Sequence, residues 1–288
     1  MSNNQQQNPL SQFYRVEKIY VSLPSGGVFY DPGVVELNDD SEVGIKAMTA
    51  ADEVLFKNPD ALLNGEAIRK VILSCVPQVN KPENLLSNDI DTLMTAIRHA
   101  SYGDKLEIEA ACPNCKHNNT FNLSMEHTLS TAEKLEESYP VNLSMGLTAY
   151  VRPYTFNESS KAIKKSFEEN NIIRNLENPS FSEEHKMKIL GNSIDSLSKL
   201  SFELVANCVM RVCGSGDSEI DVTDKKHINE FIKNVGREDA RKIQDKLDKI
   251  NAIGIKKEFG ATCTECGTEW EVPIDFNPAT FFTASLED

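Results

Sequence analysis

No stretch of the 288-residue sequence approaches the ~18 consecutive apolar residues that a membrane-spanning helix needs. Its opening, MSNNQQQNPLSQ, is polar and has no apolar core of the kind that marks a secretory signal. These absences predict a chain with no membrane partner that stays in a reducing cytoplasm, where paired cysteines serve as metal ligands more readily than as disulfides. Triplets such as Asn142-Leu143-Ser144 then carry no glycosylation signal.

Histidine is scarce. His99, His117, His127, His185 and His227 are the only five, and none sits in a motif that pairs a base with a nucleophile. Ser196 and Lys199 reproduce a Ser-x-x-Lys spacing, but mid-helix and without its companion motifs, so we read it as coincidence. The glycine-rich pieces Leu23–Gly27 and Gly214–Asp217 do not stand between a strand and a helix, as a phosphate cradle requires, and read as turns. Neither an enzyme nor a small-molecule substrate is expected.

Positive charge is also in deficit: 30 Lys and Arg face 44 Asp and Glu, a net −14. Such an excess repels the phosphates of nucleic acid and of anionic membranes. The basic stretches at Lys161, Lys164 and Lys165 and at Lys225 and Lys226 lie among acidic residues and read as solvated helix faces. The remaining balance, 40% hydrophobic and 26% charged, is that of a folded protein. The length allows one large domain or two ordinary ones.

Periodicity divides the chain into five parts and an α+β fold. Residues 1–12, rich in Asn and Gln, read as a flexible tail. Residues 13–125 begin with a strand over Val16–Leu23, broken at Pro24-Ser25-Gly26-Gly27, and short extended pieces at Val28–Tyr30, Val34–Leu37 and Val43–Met48. Helices follow over Ala50–Lys57, capped by Thr49 with Asp52 in its first turn, over Glu66–Cys75, and over Asn88–Ser101. Ile90, Leu93, Met94 and Ile97 share one face of the last, and Gly103 closes it. Residues 126–156 hold a connecting hairpin, Tyr139–Leu143 with Leu147–Val151, turning at Gly146. Residues 157–251 read as a helical insertion. In it a helix capped by Ser182 carries Leu190, Ile194, Leu197, Leu204, Cys208 and Val212 as far as Gly214, and shorter helices carry Ile228 to Val235 and Ala240 to Ile250. Residues 252–288 turn extended again.

Four of the seven cysteines form two C-x-x-C pairs, Cys112 with Cys115 and Cys263 with Cys266. Each pair stands between two strand-like segments: Leu106–Ala111 and Thr120–Leu123 around the first, Lys256–Ala261 and Thr268–Val272 around the second. Two residues between cysteines let a tight turn aim both sulfurs at one ion, and tetrahedral zinc needs four ligands, so each knuckle supplies half a site. The expectation is a split zinc ribbon holding one structural zinc per chain. The long insertion does not forbid it, because loop entropy grows only with the logarithm of length. Such a site contributes on the order of 10 kcal/mol to folding. Gly267 suits a left-handed turn position, Trp270 is placed to cover the site, and His117 reads as a loop histidine. Cys75, Cys208 and Cys213, on or beside apolar helix faces, read as small buried hydrophobes. A cytoplasmic zinc-ribbon binder of nucleic acid is the alternative, and the acidic second knuckle, Thr264-Glu265-Cys266-Gly267-Thr268-Glu269, opposes it.

Several segments together resemble the baseplate hub and hub-assembly proteins of T-even-type contractile-tailed phages. They are Leu23-Pro24-Ser25-Gly26-Gly27-Val28-Phe29-Tyr30, the block from Ile45–Thr49 through Asp52-Glu53 to Ala61–Gly65, and Asp89–Arg98 with Ser101-Tyr102-Gly103. Beside these stand Cys263–Cys266 with Glu269-Trp270, and Pro273–Pro278 with Phe281-Phe282. Residues 157–251 show no specific match. The resemblance implies a tail component that helps build the central hub by binding other tail proteins. Phe276, Phe281 and Phe282 are candidate aromatic anchors for such partners; the other reading packs them back on their own domain.

Overall fold

The first strand, β1 (Glu17–Ser22), alternates exposed and half-buried residues and pairs antiparallel with β2 (Glu42–Lys46), setting Tyr20 against Gly44. The structure is a computed structural model that describes residues 10, 14–175, 182–214, 220–276 and 278–282. The expected N-terminal tail, save Leu10, and residues 215–217 of the expected glycine-rich turn lie outside them.

The expected helices follow: α1 (Ala50–Leu55), α3 (Glu66–Cys75) and α4 (Ser87–Tyr102). Thr49 caps α1 in a reciprocal box with Asp52. Between them α2 (Pro59–Leu63), which the sequence reading passed over, starts on an Asn58 cap with Pro59 at its first position. The segment Val28–Tyr30, expected to be extended, is instead a turn with Phe29 at φ 73°. Its purpose is polar. The Ser25 backbone N–H donates to Asp89 Oδ1 at 2.9 Å, Tyr30 donates its hydroxyl to Oδ2 at 2.5 Å, and that same hydroxyl accepts from Leu86 N at 2.8 Å. Burial raises the Asp89 carboxyl above its ordinary value, and the donors pull it back. The Leu23–Tyr30 and Asp89–Arg98 segments are therefore one buried unit, with α4 as its axle.

After α4 come β3 (Lys105–Ala111) and β4 (Asn118–Ser124), paired in register from Lys105↔Ser124 to Ala111↔Asn118, and a short α5 (Met125–Ser130) capped by Ser124. The hairpin β5 (Tyr139–Asn142) and β6 (Leu147–Val151) then forms as expected, but it is not a connector. Two long helices, α6 (Phe156–Asn175) and α7 (Glu183–Cys208), leave and return, and the chain then enters β7 (Val209–Gly214) and β8 (Asp221–Val222). The helix expected to run to Gly214 thus stops at Cys208. The run Val209-Met210-Arg211-Val212-Cys213 favours strand, and β6 offers it an unpaired edge, so the sheet order is β5-β6-β7-β8. Strands from both sides of residue 156 therefore share this sheet.

Helices α8 (Lys225–Asn234) and α9 (Arg237–Asn251) cover that sheet with Ile228, Ile232, Ile243, Leu247 and Ile250, making a second core. The chain ends in β9 (Glu258–Thr262), β10 (Glu269–Pro273) and the single turn α10 (Pro278–Phe281), which return to the first core. Asn88 joins the two cores: its buried amide donates to Ile250 O at 2.9 Å and Ile253 O at 2.7 Å. The fold is mixed helix and antiparallel sheet. No helix among the described residues is long and apolar enough to cross a membrane.

The seam between α6 and α7 is held by a carboxylate. Glu169 is buried, 2.7 Å from Lys165, and that bond together with donation from Ser193 and Ser196 lowers it from an ordinary 4.5 to about 2. A depressed folded-state value means that this stabilisation is complete above the unfolded value and is lost as pH falls from 4.5 towards 2. The hydrogen-exchange protection factors of α6 and α7, corrected for the intrinsic pH dependence of exchange, are expected to fall over that window in the native chain, and Glu169→Gln to flatten the response; an unchanged acid response in the variant contradicts the assignment.

Candidate metal centre

Each C-x-x-C knuckle is the tip of a hairpin. In the first, Cys112 N donates to His117 O at 2.8 Å and Lys116 N to Cys112 O at 3.0 Å. In the second, Cys263 N donates to Thr268 O at 2.9 Å and Gly267 N to Cys263 O at 3.0 Å. The two turns are the same structure, with Lys116 at φ 64° where the second has Gly267 at φ 70°. In each the first cysteine is buried and the second exposed.

The tips meet. Cys112 Sγ lies 3.7 Å from Cys266 Sγ, and Cys115 Sγ lies 3.6 Å from Cys263 Sγ. All four sulfurs lie within 4.8 Å of one another. These distances are too long for a disulfide, whose sulfurs stand about 2.05 Å apart. A tetrahedron with metal–sulfur bonds of about 2.3 Å has edges of about 3.8 Å, so the donor set fits a four-coordinate thiolate-binding cation.

Electrostatics point the same way. Donation from the Thr268 hydroxyl and backbone N–H lowers the Cys266 thiol to about 6. The backbone N–H of His117 pulls Cys115 down, but hydrogen bonding to the sulfurs of Cys266, Cys263 and Cys112 outweighs it and pushes Cys115 up to about 12. Four crowded thiols cannot all ionise by themselves, and a bound cation removes that obstacle.

Two asparagines that the sequence reading missed lock the tips together. Asn119, buried on β4, donates to His117 O at 3.0 Å and approaches Cys263 Sγ at 3.7 Å, while its oxygen accepts from Thr264 N and Oγ1, each at 2.9 Å. Asn114 donates to Thr268 Oγ1 at 3.2 Å and lies 3.9 Å from Cys266 Sγ. N–H donors aimed at metal-ligating sulfurs are the usual outer support of such a site. The available signal was an Asn inside a strand, where its propensity is poor.

The hairpins remain two separate two-stranded sheets. Phe121 joins them edge-on, 5.6 Å from Phe259 and 5.9 Å from Trp270, so Trp270 belongs to this aromatic seam. His117 is exposed and outside the sulfur cluster. Cys75 and Cys208 are buried, whereas Cys213 is half-buried on β7, not on a helix.

Of the two readings of Phe281 and Phe282, the one that packs them back on their own domain fits the structure. Both are 2% exposed, and Phe282 stacks on Phe56 at 4.6 Å. The α10 turn folds the tail back so that the Arg98 guanidinium sits 5.3 Å from the Phe281 ring and 5.4 Å from that of Tyr102. Phe276 is half-buried against Phe281 at 5.2 Å. Phe281 and Phe282 are core residues, not surfaces offered to a partner.

The sequence model of one family, described as T4 bacteriophage base plate protein, matches residues 18–283, which include both knuckles. The chain belongs to that family. No curated protein and no solved structure matches it significantly. As a phage base plate protein it is a part of the tail machinery that interacts with other tail proteins. The hub-like segments noted in the sequence are scattered along the chain, yet in this base plate protein they converge: the Leu23–Tyr30 and Asp89–Arg98 segments share Asp89, and the C-terminal one packs on α4 through Arg98.

The equivalence of the two knuckles yields a test with opposite signs. A left-handed backbone strains a side chain but not a glycine. Lys116→Gly is expected to be neutral or stabilising by up to about 1 kcal/mol, and Gly267→Ala destabilising by about 1 kcal/mol, in denaturant titrations. Changes of the same sign would show that the turns are not equivalent.

Proposed function

We propose that Cys112, Cys115, Cys263 and Cys266 bind one structural zinc ion, closing a split zinc ribbon. We further propose that the chain serves as a component of the base plate hub or as a factor in hub assembly. It works by protein–protein contact in the host cytoplasm, without turnover. The observation that carries this reading is the convergence, at tetrahedral spacing, of four thiols from opposite ends of a base plate family chain. Zinc is the favoured ion because the ligands are all soft thiolates in tetrahedral array. Four protein ligands leave no open position for a substrate, which makes the role structural.

Nucleic-acid binding through the ribbon is the competing reading. The knuckle faces carry Lys116 against Glu265 and Glu269, and the net charge of −14 gives phosphate nothing to approach. Tight, salt-sensitive binding of labelled DNA or RNA at low salt would favour that reading over ours.

Metal analysis of the purified chain is expected to give one zinc. Cys263→Ser should remove it and lower the melting temperature by about 10 °C or more, while Cys213→Ser, outside the cluster, changes neither. A metal-free native chain of equal stability would end the zinc assignment. The hub assignment is tested separately, by co-purification from infected cells before and after particle completion. Recovery of hub proteins supports it, and recovery of none contradicts it.

A further inference from the structure

Helices α6 and α7 form a two-helix arm that is built inside out. From Ile163 to Leu197, no described side chain belongs to either hydrophobic core. The fully buried residues between the helices are polar, Glu169 and Ser193, while Ile189 and Leu197 on the Ser193 stripe of α7 are only half-buried. The large apolar side chains face solvent instead: Ile163 is 62% exposed, Phe167 47%, Met187 69%, Leu190 36% and Ile194 55%.

These residues are not scattered. Ile163 and Phe167 stand at i and i+4 on α6, and Met187, Leu190 and Ile194 at i, i+3 and i+7 on α7, so each set forms one stripe. With the helices antiparallel and Glu169 set against Ser193 and Ser196, both stripes turn to the same side of the layer. The opposite side carries Lys161, Lys165, Asp195, Lys199 and Glu203, with Ile172 also exposed on it. A two-helix layer with one apolar and one charged face is half of an antiparallel four-helix bundle.

We propose that the apolar face of this arm is an interface between two copies of this chain, α6 of each lying on α7 of the other about a two-fold axis along the arm. The exposed fractions correspond to roughly 550 Å² on each copy, so a pair buries about 1,100 Å², past the ~1,000 Å² expected of a specific interface. Charge agrees with this arrangement. Arg174 near the end of α6 and Glu183 at the start of α7 come to the same end of the bundle from different copies, where they attract.

Sedimentation of the full chain at about 50 µM is expected to show a dimer. The double substitution Phe167→Glu with Ile194→Glu should weaken it at least about 100-fold and leave the circular dichroism spectrum and metal content unchanged. Met187→Glu alone, at the most exposed of the five positions, provides a second variant and should weaken the dimer in the same direction. A wild-type chain that stays monomeric overturns the proposal, as does a dimer that survives both variants. A monomer that captures a purified base plate protein through these residues also overturns it, by giving the face a different occupant.

Discussion

Everything in this molecule is arranged around the meeting of two hairpin tips. Sulfurs from Cys112 and Cys266, and from Cys115 and Cys263, stand 3.7 and 3.6 Å apart, although the sequence between the pairs spans residues 116–262. That convergence requires whatever lies between to leave and return at one place. The described structure meets the requirement: β4 carries the chain away from the first knuckle, and β9 brings it back beside β4. Between these strands lie a complete second core and a two-helix arm. A cation shared by the tips would convert this long-range contact between two hairpins of the first core into a staple.

The remaining links are polar and buried. Asn88 ties α4 to the end of α9, Asn119 ties one knuckle to the other, and Asp89 ties the first turn of the chain to α4. Each satisfies groups that would otherwise be costly to bury, so each fixes geometry more than it adds stability.

Much of this was legible in the sequence where spacing carries the signal. The C-x-x-C pairs, the Thr49 cap, Glu66–Cys75 and the hairpin at Gly146 fall where expected, because turn chemistry and capping are local. The errors lie where local pattern was ambiguous. Leu204, Cys208 and Val212 continue an i, i+4 ladder, but Val212 answers to a strand partner at Ala149 that only the tertiary fold supplies. Leu190 and Ile194 of the same ladder suited a core and met solvent. Phe281 and Phe282 stood open between a partner and their own domain, and only the tertiary fold shows that Phe56 and Arg98 receive them. Asn88 was invisible for the same reason, since a buried amide is defined by what surrounds it, whereas Asn119 left only the weak signal of an Asn inside a strand.

The claim beneath all of this is a single metal held by sulfurs from two knuckles far apart in the sequence. X-ray absorption at the zinc edge of the purified protein tests it most directly. The account predicts four sulfur neighbours at about 2.3 Å, with the count falling when either cysteine pair is replaced by serine. A spectrum with two or fewer sulfurs, or one unchanged by loss of Cys112 and Cys115, would contradict it.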